Sequence, residues 1–172
     1  RKNKVVDAPG LRDVPAGGLN TDVLDLSRYL RMTFARGGKG PRLLSKAGIV
    51  EMQRPQNADV AMDLDLKVGL GWSLGAPGLQ DIVGGGPVLA AGGHTLLYHA
   101  AMVALPRHEL GVIVLANSAE ARDLVDAVAV ETLSRALEDK AGIEQPPAKE
   151  LNDPKIPPPR EELSRWEGTW GR

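Results

Sequence analysis

Two apolar runs, from Gly93 to Leu105 and from Leu110 to Ala116, flank a four-residue polar turn, Pro106 to Glu109. Pro, Arg, His and Glu suit a tight connection, and Pro106 presets φ for its first half. Taken as one strand, the first run puts Leu97, Val103 and Leu105 on one face and Leu96, Tyr98 and Met102 on the other. Both faces are apolar, and 111–116 is apolar without alternation, which is the pattern of strands covered on both sides. This hairpin is expected to be the spine of a layered domain.

Helical periodicity is clearest at 20–36 and 119–140. In the first, Asn20 or Thr21 is placed to cap, Asp22 and Asp25 suit the positive end, and Gly37-Gly38 stops the run. Val23, Leu26, Leu30 and Phe34 form its apolar stripe. In the second, Leu124, Val125, Val128, Leu133 and Leu137 recur at helical spacing and Gly142 lies just past the end. A shorter helix starts at Ser45, packs through Ile49 and Met52, and ends before Pro55. Val68 to Leu74 reads as one strand, with Gly69 and Gly71 marking a close backbone approach or a bulge. Residues 1–19, 57–65 and 75–93 read as loops, the last long and rich in Gly and Pro.

Composition narrows the options. The 172 residues are 42% hydrophobic and 25% charged with a net charge of −1, so nothing points to nucleic acid or an anionic membrane as partner. Cysteine is absent, which removes disulfides, thiol catalysis and cysteine-ligated zinc. Six dispersed aromatic residues cannot build a stacking platform for sugars or single strands. The chain opens on Arg-Lys-Asn-Lys without an initiator methionine and is expected to be a piece of something longer. Its organisation reads as a domain over 1–142, a Pro-rich linker over 143–162 and the start of a truncated module over 163–172 around Trp166-Glu-Gly-Thr-Trp170.

Chemistry-bearing residues are few. Gly71-Trp-Ser73-Leu-Gly75 matches Gly-x-Ser-x-Gly, but that motif requires a sharp strand-to-helix turn, and Ala76-Pro77-Gly78 cannot start the helix. Ser73 is therefore read as an ordinary strand residue. A spacing of five puts His94 and His99 on opposite faces of a regular strand, with His108 in the far turn and no acidic cluster nearby, so neither metal nor cofactor is expected. His94-Thr95 stands out by position, at the start of the supposed central strand where a side chain can face a cleft. A histidine that merely caps the strand end is the alternative.

An ordered set of segments resembles the serine β-lactamase, penicillin-binding protein and related esterase family. The set comprises Pro15-Ala-Gly-Gly-Leu19, Thr21-Asp22-Val-Leu-Asp25-Leu26 with Tyr29-Leu30, Leu44-Ser45 to Met52, Gly69-Leu-Gly-Trp72, and Pro106 with Glu109-Leu-Gly-Val-Ile-Val-Leu-Ala-Asn117. The resemblance covers roughly residues 15 to 140 and is to the family's C-terminal half. It implies an α/β fold in the α+β sense: an antiparallel sheet flanked by helices, part of a β-lactamase/transpeptidase-like domain, with the helix at 119–140 covering one face of the hairpin.

The resemblance also implies an acyl-transfer serine hydrolase acting on a small-molecule acyl or ester substrate. Its nucleophile lies in a Ser-x-x-Lys motif, assisted by Tyr-x-Asn or Ser-x-Asn, and a third motif (Lys-Thr-Gly or His-x-Gly) lies on the central strand. Here Ser27, Ser45, Ser73, Ser118, Ser134 and Ser164 all lack the lysine, and no Tyr-x-Asn or Ser-x-Asn occurs. No nucleophile of the family's kind is therefore present. Only the third motif has a place in this chain, at His94 and Thr95, and there Leu96-Leu97-Tyr98 stands where a glycine is expected. The expectation is a fragment inactive by itself, or a non-catalytic binding module. Its sheet would be completed by an N-terminal companion segment or by self-association. Relatives are often exported in bacteria.

Overall fold

The computed structural model describes residues 14–34, 43–63, 66–75, 82–118 and 120–147. The stop at Gly37-Gly38 and the Trp166–Trp170 segment lie outside them. Five strands form one antiparallel sheet in the order β1(Lys67–Val68), β2(Ser73–Leu74), β3(Leu89–His94), β4(His99–Leu105), β5(Leu110–Ala116). The helices are a short turn α1(Val14–Gly17), then α2(Val23–Phe34), α3(Lys46–Met52) and α4(Arg122–Ala141). None of these is long and apolar enough to cross a membrane.

The β4–β5 hairpin forms around the expected turn: His108 N–H donates to Leu105 O at 3.0 Å, and Glu109 closes the turn with φ of +52°. Its registry runs from Leu105 opposite Leu110 to His99 opposite Ala116. The strand before the turn is shorter than expected, however. It begins at His99, and the chain up to His94 belongs to a separate strand, β3, which occupies part of what reads as a glycine-rich loop. Leu96, Leu97 and Tyr98 are therefore not core residues of a strand. They sit exposed in the turn between β3 and β4.

Strand alternation sorts the sheet into two faces. On one, Ala90, Ala101, Val103 and Leu105 pack under Val125, Ala129, Leu133 and Leu137 of α4. On the other, Leu89 and Ala104 pack with Leu30 of α2 and Trp72, whose ring stacks on Tyr29 at 6.1 Å. Fully burying a side chain such as Leu105 on the α4 face or Leu89 on the α2 face is worth about 1.5–3 kcal/mol, so the two layers clamp the sheet from both sides. β5 receives α4 on one face and α2 on the other, yet among the described residues it is an edge strand, with pairing on its β4 side alone.

Local signals set the helix ends. Ser45 caps α3 by accepting Gly48 N–H at 3.1 Å. Gly142 ends α4 in the left-handed region (φ 65°), its N–H bonded to Glu138 O. At α2 the cap is Asp22 rather than Asn20 or Thr21, because Asp22 Oδ1 accepts both Leu24 N–H and Asp25 N–H at 2.9 Å. Val23, Leu124 and Val128, expected on buried stripes, are exposed. The segment read as one strand over 68–74 is a tight reversal between β1 and β2. Gly71 takes φ of +76° there, and at Gly69 a Cβ would lie 2.3 Å from Met52 O, so both glycines are required. Beyond Gly142 the chain stays on the domain as far as Gln145, which is buried and brackets Val83. Its Oε1 accepts Val83 N–H at 2.9 Å and its Nε2 donates to Val83 O at 2.8 Å.

Candidate functional site

The third strand of the five carries His94 as its last residue. In the β3–β4 ladder Gly92 faces Ala101, Gly93 faces Ala100, and His94 faces His99 directly. The two imidazoles are nearly parallel, with ring centroids 5.8 Å apart and planes 15° apart. They do not lie on opposite faces, as a single strand would require. The parity rule holds only within one strand, and the chain reverses between these residues, making them cross-strand neighbours. Both share the α4 face with Ala101 and Val103.

Thr95 opens the turn. Its N–H donates to Tyr98 O at 2.9 Å, and its Oγ1 accepts Leu97 N–H at 3.4 Å, which holds the hydroxyl in the turn. The connection is closed by Leu96 and Leu97, neither of them in the left-handed region. Most two-residue hairpins use glycine or asparagine there. His99 is thus the residue that the single-strand reading set apart from His94 and that the ladder places beside it. Two small glycines, Gly92 and Gly93, immediately before a histidine were the available hint of a strand end.

The other candidates separate from this place. Ser73 lies in β2, between Val68 of β1 and Ala90 of β3, as an ordinary strand residue. His108 lies at the far end of β4, about 20 Å away at ~3.3 Å per strand residue. It is half-buried rather than a free surface residue: Nε2 is 3.0 Å from Gly84 O, and its carbonyl accepts Lys140 Nζ at 2.6 Å. That end holds a cavity of about 720 Å³ lined by Phe34, Pro87, Arg107, Glu109, Lys140 and their neighbours. Among the described residues no three His, Asp or Glu side chains converge as a metal set.

The perturbed ionisable groups are also remote from the histidine pair in sequence. Hydrogen bonds from Arg54 and Gln56 hold the Glu51 carboxyl down at about 2. Gln145 N–H, then Arg135, lowers Glu138, and burial raises the Tyr29 phenol. The carboxylate shifts arise from hydrogen bonds near helix ends and the Tyr29 shift from its packing, so they mark structure rather than chemistry.

A sequence model of the family described as Beta-lactamase matches residues 1–134, well over half of the chain. The chain belongs to that family. No curated protein and no solved structure matches it.

Proposed function

We propose that this Beta-lactamase-family chain is the C-terminal part of a serine hydrolase acting on β-lactam, peptide or ester acyl groups, completed by polypeptide upstream of Arg1 that carries the nucleophile. The observation that carries the reading is the family match over 1–134 on a chain whose sheet, among the described residues, ends in an edge strand, β5, with a helix seated on each of its faces. Such a strand presents a row of main-chain donors and acceptors suited to one further strand. In the complete protein the upstream serine oxygen adds to the acyl carbon, and the bond to the leaving nitrogen or oxygen breaks as that atom takes a proton. Water then releases the acyl group. An activated nucleophile and prearranged donors for the developing oxyanion make each step accessible. His94, which ends β3, and Thr95, which opens the turn after it, are our positions for the third motif, orienting substrate rather than attacking it.

The test is acylation. The 172-residue chain alone should show no stoichiometric, serine-dependent labelling by a fluorescent penicillin or a nitrophenyl ester. Adding the upstream segment should restore labelling, with the label on a serine of that segment. Labelling of the isolated chain overturns the proposal.

A non-catalytic module that binds ligand through the same region is the second reading. It is favoured by Leu96-Leu97-Tyr98 following His94-Thr95 where the third motif would carry a glycine. An upstream sequence without Ser-x-x-Lys and Tyr-x-Asn decides for it.

A further inference from the structure

We propose that the cavity at the β4–β5 turn is a binding site for a small organic carboxylate with an apolar body, the carboxylate being held by Arg107. The cavity has a volume of about 720 Å³ and lies at the end of the β4–β5 hairpin away from His94. Small-molecule sites commonly enclose about 300–1,000 Å³. Four stretches of chain meet here: the end of α2 at Phe34, the loop at Pro87, the turn itself, and the end of α4 at Lys140. Phe34, Pro87 and Pro106 supply an apolar wall against which a hydrocarbon or aromatic body leaves water.

The walls of this cavity are tied to one another. The Arg107 stem lies across Gly86, where an added Cβ would come 3.2 Å from Arg107 Cδ and 3.5 Å from its Cβ. His108 Nε2 is 3.0 Å from Gly84 O, and Lys140 Nζ donates to His108 O at 2.6 Å, so hydrogen bonds join the loop, the turn and the helix end. A pre-formed site spares a ligand the cost of ordering it. The charges then select the sign of the ligand. Lys140 stands in the last turn of α4 and offsets the partial negative charge of that helix end. Among the described residues the Arg107 guanidinium makes neither an ion pair nor a hydrogen bond. Its planar fork matches the two oxygens of a carboxylate. Glu109 is the one acidic side chain among the described residues lining the cavity, and it does not pair with Arg107. It leaves the guanidinium open and disfavours a ligand with a second negative charge.

The probe is fluorophenylpropionate, titrated with the 172-residue chain and followed by fluorine NMR line broadening. Saturable binding is expected, with displacement by unlabelled phenylpropionate. Phenylpropanol, which lacks the charge, and acetate, which lacks the apolar body, should each displace the probe about fivefold less effectively or worse. Arg107→Gln should weaken binding by about fivefold or more, a loss kept modest because Arg107 is exposed. Glu109→Gln should tighten it. Arg122→Gln, an exposed arginine at the opposite end of α4, should bind as the parent does. Four results overturn the proposal: no saturable binding, displacement by the alcohol or by acetate as effective as by phenylpropionate, unchanged affinity in Arg107→Gln, or weaker binding in Glu109→Gln. Should a variant fail to fold by circular dichroism, the displacement series on the parent chain still decides. No turnover is measured, so the outcome is independent of whether the hydrolase reading holds.

Discussion

Placing methyl groups where α2 meets β5 tests the layer that seats the edge strand. Gly111 lies beneath α2, and a Cβ built there comes 2.4 Å from Leu30 Cδ2, 3.1 Å from Leu30 Cγ and 3.2 Å from Phe34 Cζ. Ordinary contacts fall near 3.5–4.0 Å, so the overlap with Leu30 exceeds 1 Å. Leu30 is itself 4% exposed and packed with Trp72, Leu89 and Ala104, which leaves it little space to retreat. Gly111→Ala should therefore destabilise by about 1–3 kcal/mol, a fall of about 2–4 °C in Tm per kcal/mol for a domain of this size.

The decisive comparison is a double-mutant cycle. Leu30→Ala alone should cost about 2–5 kcal/mol by leaving a cavity. In that background the two closest contacts of the new methyl are gone, and Gly111→Ala should become neutral, or stabilising by up to about 1 kcal/mol through the lost backbone entropy of the unfolded chain. Urea unfolding read by tryptophan fluorescence and by circular dichroism supplies all four free energies. A cost for Gly111→Ala that is the same in both backgrounds would refute the docking of α2 on β5 through Leu30.

Three further outcomes are expected. Leu137→Ala, at a fully buried position against the sheet, should lower stability by about 2–5 kcal/mol in the same urea assay. Because the folded-state pKa of Glu51 is depressed to about 2 from 4.5 by its bonds to Arg54 and Gln56, its contribution is present above pH 4.5 and is lost as pH falls towards 2. Carboxyl NMR titration should show the low value in the parent and a rise in Arg54→Ala. Light scattering should find the isolated chain self-associated through the β5 edge, and Leu115→Lys, at an exposed position of β5, should shift it towards monomer; a clean parent monomer argues against an adhesive edge.

What local chemistry determines in this protein can be read residue by residue. Ser45 begins a helix because its side chain can accept an orphan N–H, Gly142 ends one because only the left-handed region turns the chain away there, and Pro106 to Glu109 makes a hairpin from the preference of four consecutive residues. The family resemblance was legible for the same reason, since the matching segments include these local signals in order. The β3–β4 reversal had no such signal. Thr95-Leu-Leu-Tyr98 contains neither glycine nor proline nor asparagine, and its apolar residues read as strand. Only pairing with β4 on one side and β2 on the other, under a core sealed by α2 and α4, makes the chain turn back there. That pairing is non-local, and a strand's partner and register depend on residues far along the chain, so it decided what no window of sequence carries: that His94 faces His99, that Ser73 is sheltered between two strands, and that β5 stands at the edge.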